Sequence, residues 1–340
     1  MKSSDFRYID GSLVFPQPFF EGKTQMFNFV FSSDLPTLQK VCDAWFNEPT
    51  DGAVYYEPFM PFVILTFSNN GKAHSVVPPF DQWGGADYKE VIFSIPVVRI
   101  KKAGPVRIAE YVGTLVPFIF VDIPIPLVPG REIYGLPKSV GWIDTPGSTN
   151  PAGLKCSLEA VSTPAFGPDV QYARKTIAAI QQTGAHSEPH VWSDMETAFK
   201  AIGQLVFGGE RITLPGISLA VEIAEIFARH QQPFTSLRQL RAIDSSSAAA
   251  YQSVVDYTAT MTRFHGAGLL NGTYTLQMPP DALYPVGQTL GLRDGQQADA
   301  AFWLDWEFTF DKGKDVWTRR PKPSFWQWLK EGTGLLMGNG

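Results

Sequence analysis

Cysteine is nearly missing: the 340 residues contain only Cys42 and Cys156, with no spacing that suggests a disulfide framework or a zinc site, so both read as reduced thiols. Basic excess is missing too. There are 28 Lys and Arg against 33 Asp and Glu, and the net charge of -5 leaves no electrostatic footprint for nucleic acid. The most apolar stretch, Leu115 to Val128, is interrupted by Pro117, Pro124 and Pro126 and is too short to cross a bilayer. The start, Met1 to Arg7, has no apolar run of the secretion type, so a cytoplasmic protein without stable membrane insertion is expected.

Several chemistries lack their motifs. No serine sits in a Gly-x-Ser-x-Gly setting, and Gly84-Gly85 and Gly208-Gly209 match neither phosphate-loop pattern. His186 and His190 flank Glu188 at a spacing of four, but Pro189 breaks the helix that would align them and no third ligand is near. A polar loop and no metal are expected there.

What is present is apolar and aromatic: 44% of the residues are hydrophobic, enough for a sizeable core in one large or two ordinary domains. Phe59 to Phe67 and Val91 to Val98 read as strands, with turn signals at Ser68 to Gly71, Gly84-Gly85 and Gly104-Pro105. A helix is expected from Leu35 to Phe46, capped by Asp34, with Leu38, Val41, Cys42 and Trp45 at helical spacing. After about residue 168 the pattern turns helical. Gln171 to Gln182 carries Ile177 and Ile180 on a helical period, Ser193 to Glu196 has a capping-box pattern, and Leu214 to His230 reads as an amphipathic helix. Strand signals return in Gln252 to Phe264, Gly272 to Met278 and Ala300 to Phe310, while Asp244 to Ser247 reads as a loop. The tail, Pro321-Lys322-Pro323 and then Ser324 to Leu329, reads as a docking arm on this chain or a neighbouring subunit.

The chemistry concentrates in Gly130-Arg131-Glu132-Ile133-Tyr134-Gly135-Leu136-Pro137-Lys138, a lone lysine between apolar flanks. A lysine drawn into apolar surroundings is pushed toward its neutral amine, which can attack a ketone or aldehyde and form a Schiff base.

Gly-Arg-Glu, a short spacer and then Pro-Lys resembles the Schiff-base lysine segment of the acetoacetate decarboxylase-like superfamily. Phe27 to Phe31 followed by Ser33-Asp34 and Leu38 resembles that family's first strand and helix. Tyr88-Lys89-Glu90 leading to Ile95-Pro96-Val97 resembles its glutamate-bearing strand, and Tyr251 to Val255 and Gly272 to Gln277 its closing strands. The match covers roughly residues 20 to 145 and 233 to 310. It implies an α+β, mainly β fold: one acetoacetate-decarboxylase-like antiparallel β-barrel domain over 1–340, with a helical insertion at 168–232 and a C-terminal arm at 318–340.

The resemblance implies Lys138 as nucleophile, Glu90 as proton shuttle, no cofactor and a homo-oligomer. Arg131, Glu132, Tyr134 and Leu136 are the accompanying substrate-binding candidates, although Arg131 and Glu132 also read as a self-satisfied pair. The sequence departs from the family where a second lysine would follow Lys138, since Ser139 stands there. It departs again where a basic residue aligns near Thr24, and where a second acidic residue aligns within Ile64 to Thr66. The expected activity is a cofactor-independent lyase that decarboxylates a β-keto acid or related carbonyl compound through an iminium on Lys138. Two alternatives stand beside it: a Schiff-base aldolase-dehydratase acting on a keto acid or aldehyde, and a non-catalytic binder of an apolar carbonyl ligand.

Overall fold

The computed structural model describes residues 5–103, 106–148, 153–184, 190–207, 213–214, 217–218, 230–270 and 272–319. The strands run β1 (Phe19–Ser32), β2 (Tyr56–Pro58), β3 (Phe62–Ser75), β4 (Ala86–Ala103), β5 (Val106–Val121), β6 (Lys138–Val140), β7 (Trp142–Asp144), β8 (Lys155–Ser162) and β9 (Ala173–Gln182). They continue with β10 (Val191–Trp192), β11 (Thr213–Leu214), β12 (Ile217–Ser218), β13 (Gln231–Arg241), β14 (Ala249–Leu269), β15 (Tyr274–Gln277), β16 (Ala300–Phe310) and β17 (Lys314–Thr318). Between them lie the helices α1 (Leu35–Cys42), α2 (Pro124–Glu132), α3 (Met195–Phe207) and α4 (Val286–Leu290).

The large sheet runs in the order β4-β3-β1-β16-β14-β13-β5, and β5 pairs back onto β4, so these strands form a closed ring. Ring closure leaves no free edge among them, which matters for strands this apolar. Alternate residues point to opposite faces of each strand. Phe27, Phe29, Phe31, Leu65, Phe67, Val91 and Phe93 point outward and are almost wholly buried against Leu158, Ile180 and Leu276 of the second sheet, β15-β9-β8-β7. The opposite phase, with Phe302, Leu304, Trp306 and Phe308, forms a second apolar cluster that includes Ile202 and Val206 of α3. Each such side chain contributes roughly 1.5–3 kcal/mol on burial.

The helix after β1 forms as its sequence suggests: the Asp34 carboxylate accepts from the Thr37 backbone N–H at 2.8 Å, and Leu38, Val41 and Cys42 are buried. Beyond Cys42 the chain widens into a π-helical turn, Asp43–Asn47. Both cysteines are free and buried, and burial raises their thiol pKa values.

Three expectations are corrected. Gln171 to Gln182 is not a helix: Ala173–Gln182 is β9, paired with β8 on one side and β15 on the other. Its Ile177 and Ile180 are both buried in the sheet, and a short apolar run carries no period that separates strand from helix. Ser68 to Gly71 is not a turn but the middle of β3, since Asn69 pairs with Gln25 of β1 and Lys89 of β4. The cap of α3 is Asp194 rather than Ser193, its carboxylate receiving the N–H groups of Glu196 and Thr197.

Of the helix expected at 214–230, Leu214 and Ile217 pair in the β11–β12 hairpin, and residues 219–229 lie outside the described residues. The Gly104-Pro105 turn, His186, Glu188, Pro189, Gly208-Gly209 and the tail from residue 320 lie outside them as well.

Candidate active site

Lys138 opens β6, which pairs in parallel with β5 so that Lys138 stands beside Ile119. The segment before it is tightly folded. The Leu136 N–H donates to the Gly130 carbonyl at 2.9 Å, and the Lys138 N–H to the Leu136 carbonyl at 2.8 Å. Gly135 takes φ +72° with its Cα packed on the Arg238 backbone, where an added Cβ would come within 2.6 Å of the Arg238 Cα. Only glycine fits that turn.

The result is a lysine that is 5% exposed, with Nζ 2.6 Å from Oε2 of Glu90, itself 5% exposed. Glu90 comes from β4, placed between Ser68 of β3 and Val121 of β5. The Lys138 Nζ also lies 5.8 Å from the centre of the Tyr88 ring. Such a pair is expensive to bury and persists only when held by its surroundings.

A third ionisable group joins them. Glu21 of β1 is 4% exposed, and its Oε1 accepts from the Tyr88 hydroxyl at 3.2 Å. Burial pushes its carboxyl up to about 8; Glu90 adds to the rise, while Lys138 and the Tyr88 hydrogen bond oppose it. At neutral pH Glu21 therefore carries a proton. Burial likewise raises the Tyr88 phenol, with the carboxylates of Glu21 and Glu90 adding to it.

Lys138 and Glu21 line a cavity of about 210 Å³, whose remaining walls are mostly apolar, with Phe15, Phe19, Phe80 and Trp83 among them. Tyr134 and Leu136 line it as well, so two of the four accompanying candidates stand at the cavity. The other two do not. Arg131 and Glu132 are exposed on the outer side of α2, and the Arg131 guanidinium donates to the Lys138 carbonyl at 2.8 Å. Arg131 faces away from the cavity because successive helical residues face different ways, and Gly130 takes the inward place.

The sequence reading missed Glu21 and found no second acid where the family resemblance placed it, on β3. The acid comes from β1 through a local irregularity. The pairing of β1 with β16 shifts register between Glu21 and Thr24, and that with β3 shifts between Phe20 and Gly22 and again between Gly22 and Gln25, with Lys23 at φ +48°. Such a bulge changes which face the following residues present. Glu21 thereby joins the cavity although Thr24 and the residues after it follow another phase. The available signal was a single glutamate between Phe20 and Gly22 at the head of an apolar strand. Among the described residues no group of three His, Cys, Asp or Glu side chains could hold a metal ion.

Comparison with solved structures places the fold. Acetoacetate decarboxylase from Legionella pneumophila superposes with a TM-score of 0.56 at 17% identity, over 93% of each chain. The enduracididine biosynthesis enzyme MppR complexed with pyruvate gives 0.53 at 13% identity, over 91% of this chain and 93% of that one. An acetoacetate decarboxylase-like enzyme from Sphingomonas wittichii gives 0.52 at 15% identity, over 90% of this chain and 96% of the other. No protein-family model and no curated relative matches the sequence.

Proposed function

We propose that this chain, which has the acetoacetate decarboxylase-like fold, is a cofactor-independent lyase that binds its carbonyl substrate as a Schiff base on Lys138. The observation that carries the reading is the buried 2.6 Å contact between Lys138 and Glu90 beside an apolar cavity. It supplies nucleophile and proton acceptor in one place.

In the proposed cycle Glu90 takes a proton from the Lys138 ammonium, and the freed amine attacks the substrate carbonyl carbon. The carbinolamine oxygen takes protons from neighbouring carboxyls and leaves as water. The iminium that remains is cationic, as the ammonium was, so Glu90 in its carboxylate form stays paired. The iminium accepts the electron pair of the adjacent carbon–carbon bond as it breaks, giving an enamine. A proton returned to the enamine carbon and hydrolysis of the imine then release product and the amine.

For a β-keto acid the bond broken is the one to the carboxylate, and an apolar cavity favours that step because the charge being desolvated is lost as CO₂. This is the leading reaction, and the closed strand ring is read in this proposal as the family's β-barrel. Glu21 favours a second reaction on the same iminium, aldol chemistry with dehydration. A neutral carboxyl can hand its proton to a departing hydroxyl, and among the described residues no Lys or Arg other than Lys138 lines the cavity to hold a substrate carboxylate.

Intact-mass analysis after borohydride reduction with β-keto acids, pyruvate and aldehydes tests the proposal. The expected product is the chain plus the substrate mass minus oxygen, absent in Lys138→Ala. Full turnover by Lys138→Ala would sink the mechanism.

A further inference from the structure

A second cavity, of about 250 Å³, lies inside the strand ring, and every ring strand (β1, β3, β4, β5, β13, β14 and β16) contributes to its wall. Lys138 does not line it; Glu90 does, together with Asn28, Thr66 and Ser94, with Thr114, His230, Gln231 and Gln232 as the other polar residues of a mostly apolar wall. The α3 helix closes over part of it with Ile202 and Val206. This chamber and the cavity at Lys138 thus lie on opposite sides of the Lys138–Glu90 pair, and Phe310 lines both.

Two donors on the chamber wall find no acceptor among the described residues, the indole N–H of Trp306 and the side-chain amino group of Asn28. Asn28 is 6% exposed, and its Oδ1 accepts from the Thr66 hydroxyl at 2.8 Å. The Asn28 amino group belongs to the lining and is free to donate, and an oxygen of a bound molecule supplies the acceptor that the protein does not. Among the described residues no Lys or Arg lines the chamber, His230 is its one basic side chain, and the Glu90 carboxylate is one of its walls, so an anion would enter against a like charge.

We propose that the chamber inside the ring is a binding site, separate from the Lys138 cavity, for an uncharged aliphatic molecule of medium length with one hydrogen-bond-accepting oxygen. The methylenes lie along the apolar wall toward α3, and the oxygen accepts from the Asn28 Nδ2 group. The site stands whether or not Lys138 forms a Schiff base.

The test is displacement of N-phenyl-1-naphthylamine from the full chain by 1-decanol, decane and decanoate. The expected order is 1-decanol first, with decane and decanoate each at least about tenfold weaker. Ile202→Trp, which fills the chamber from α3, weakens 1-decanol at least about tenfold with an unchanged circular-dichroism spectrum; Val206→Trp serves if that variant does not fold. Asn28→Ala brings 1-decanol down toward decane. Ala86→Trp, which narrows the Lys138 cavity instead, leaves binding unchanged. Failure of 1-decanol to displace dye from the wild-type chain, or loss of binding in Ala86→Trp with retention in the filled-chamber variants, overturns the proposal.

Discussion

Gly130 and Lys138 lie against each other so closely that a Cβ added to Gly130 would sit 2.7 Å from Cδ and 2.8 Å from Cε of the lysine. The glycine of α2 is the surface along which the lysine stem runs to Glu90. Gly130→Ala forces that stem aside, and a displacement of about 1 Å from the reacting geometry costs on the order of 100-fold in rate. The substitution is expected to leave the fold intact, since alanine is the better helix former, while borohydride-trapped adduct forms about 100-fold more slowly. Adduct formation at the wild-type rate would show that the contact does not position Nζ.

Glu21 makes stability depend on pH in a definite sense. Its folded-state value of about 8 lies above the 4.5 of an unperturbed glutamate, so the folded chain keeps a proton that the unfolded chain releases. The contribution is complete below about pH 4.5 and is lost as pH rises toward 8, by roughly 5 kcal/mol at most. Glu21→Gln removes the titration. Thermal melts from pH 5 to pH 9 are expected to show the wild-type Tm falling relative to that of Glu21→Gln; parallel Tm curves would mean that Glu21 does not carry the proton.

The same residue shows where sequence reading stopped. Lys138 and Glu90 were picked out through the resemblance of their two segments to a known family, and parts of β3, β4, β14 and β16 were legible from their aromatic and β-branched runs. Glu21 was not, because its place in the cavity depends on a register shift between Glu21 and Thr24, and a bulge leaves no period in the sequence. The strand at Ala173–Gln182 was hidden for a related reason. Ile177 and Ile180 fit a helical spacing, and only the flanking β8 and β15 make them central-strand residues. Arg131 was misplaced because adjacency to Lys138 in sequence does not fix direction around the α2 axis.

Tyr134 touches the cavity with its ring, while its hydroxyl is engaged elsewhere. It donates to the Asp311 carbonyl at 2.9 Å and lies 3.3 Å from the Phe310 carbonyl. Tyr134→Phe therefore keeps the cavity wall and loses a hydrogen bond that ties the lysine segment to the end of β16. The expected cost is about 1 kcal/mol of stability by urea denaturation, with unchanged borohydride trapping. A loss of trapping at unchanged stability would instead assign the hydroxyl to the substrate.

Outside the site, Arg99 of β4 reaches Asp256 of β14 at 2.6 Å and the Tyr56 hydroxyl at 2.9 Å, with its guanidinium 5.0 Å from the centre of the Tyr111 ring. Both charged side chains are largely buried, and burial raises the Asp256 carboxyl while Arg99 opposes that rise. Arg99→Met leaves the aspartate without its counter-charge, an expected loss of about 3 kcal/mol near neutral pH. The sign of the pH dependence follows. Without Arg99 the folded-state value of Asp256 rises further above its unfolded one, so the penalty is greatest where the unfolded chain is ionised and shrinks as acid protonates both states. Denaturation of both proteins at pH 5 and pH 8 is expected to give the larger deficit at pH 8, and Arg99→Met/Asp256→Leu is expected to recover much of it. A deficit independent of pH would assign the loss to packing against Tyr56 and Tyr111 rather than to the unpaired carboxylate.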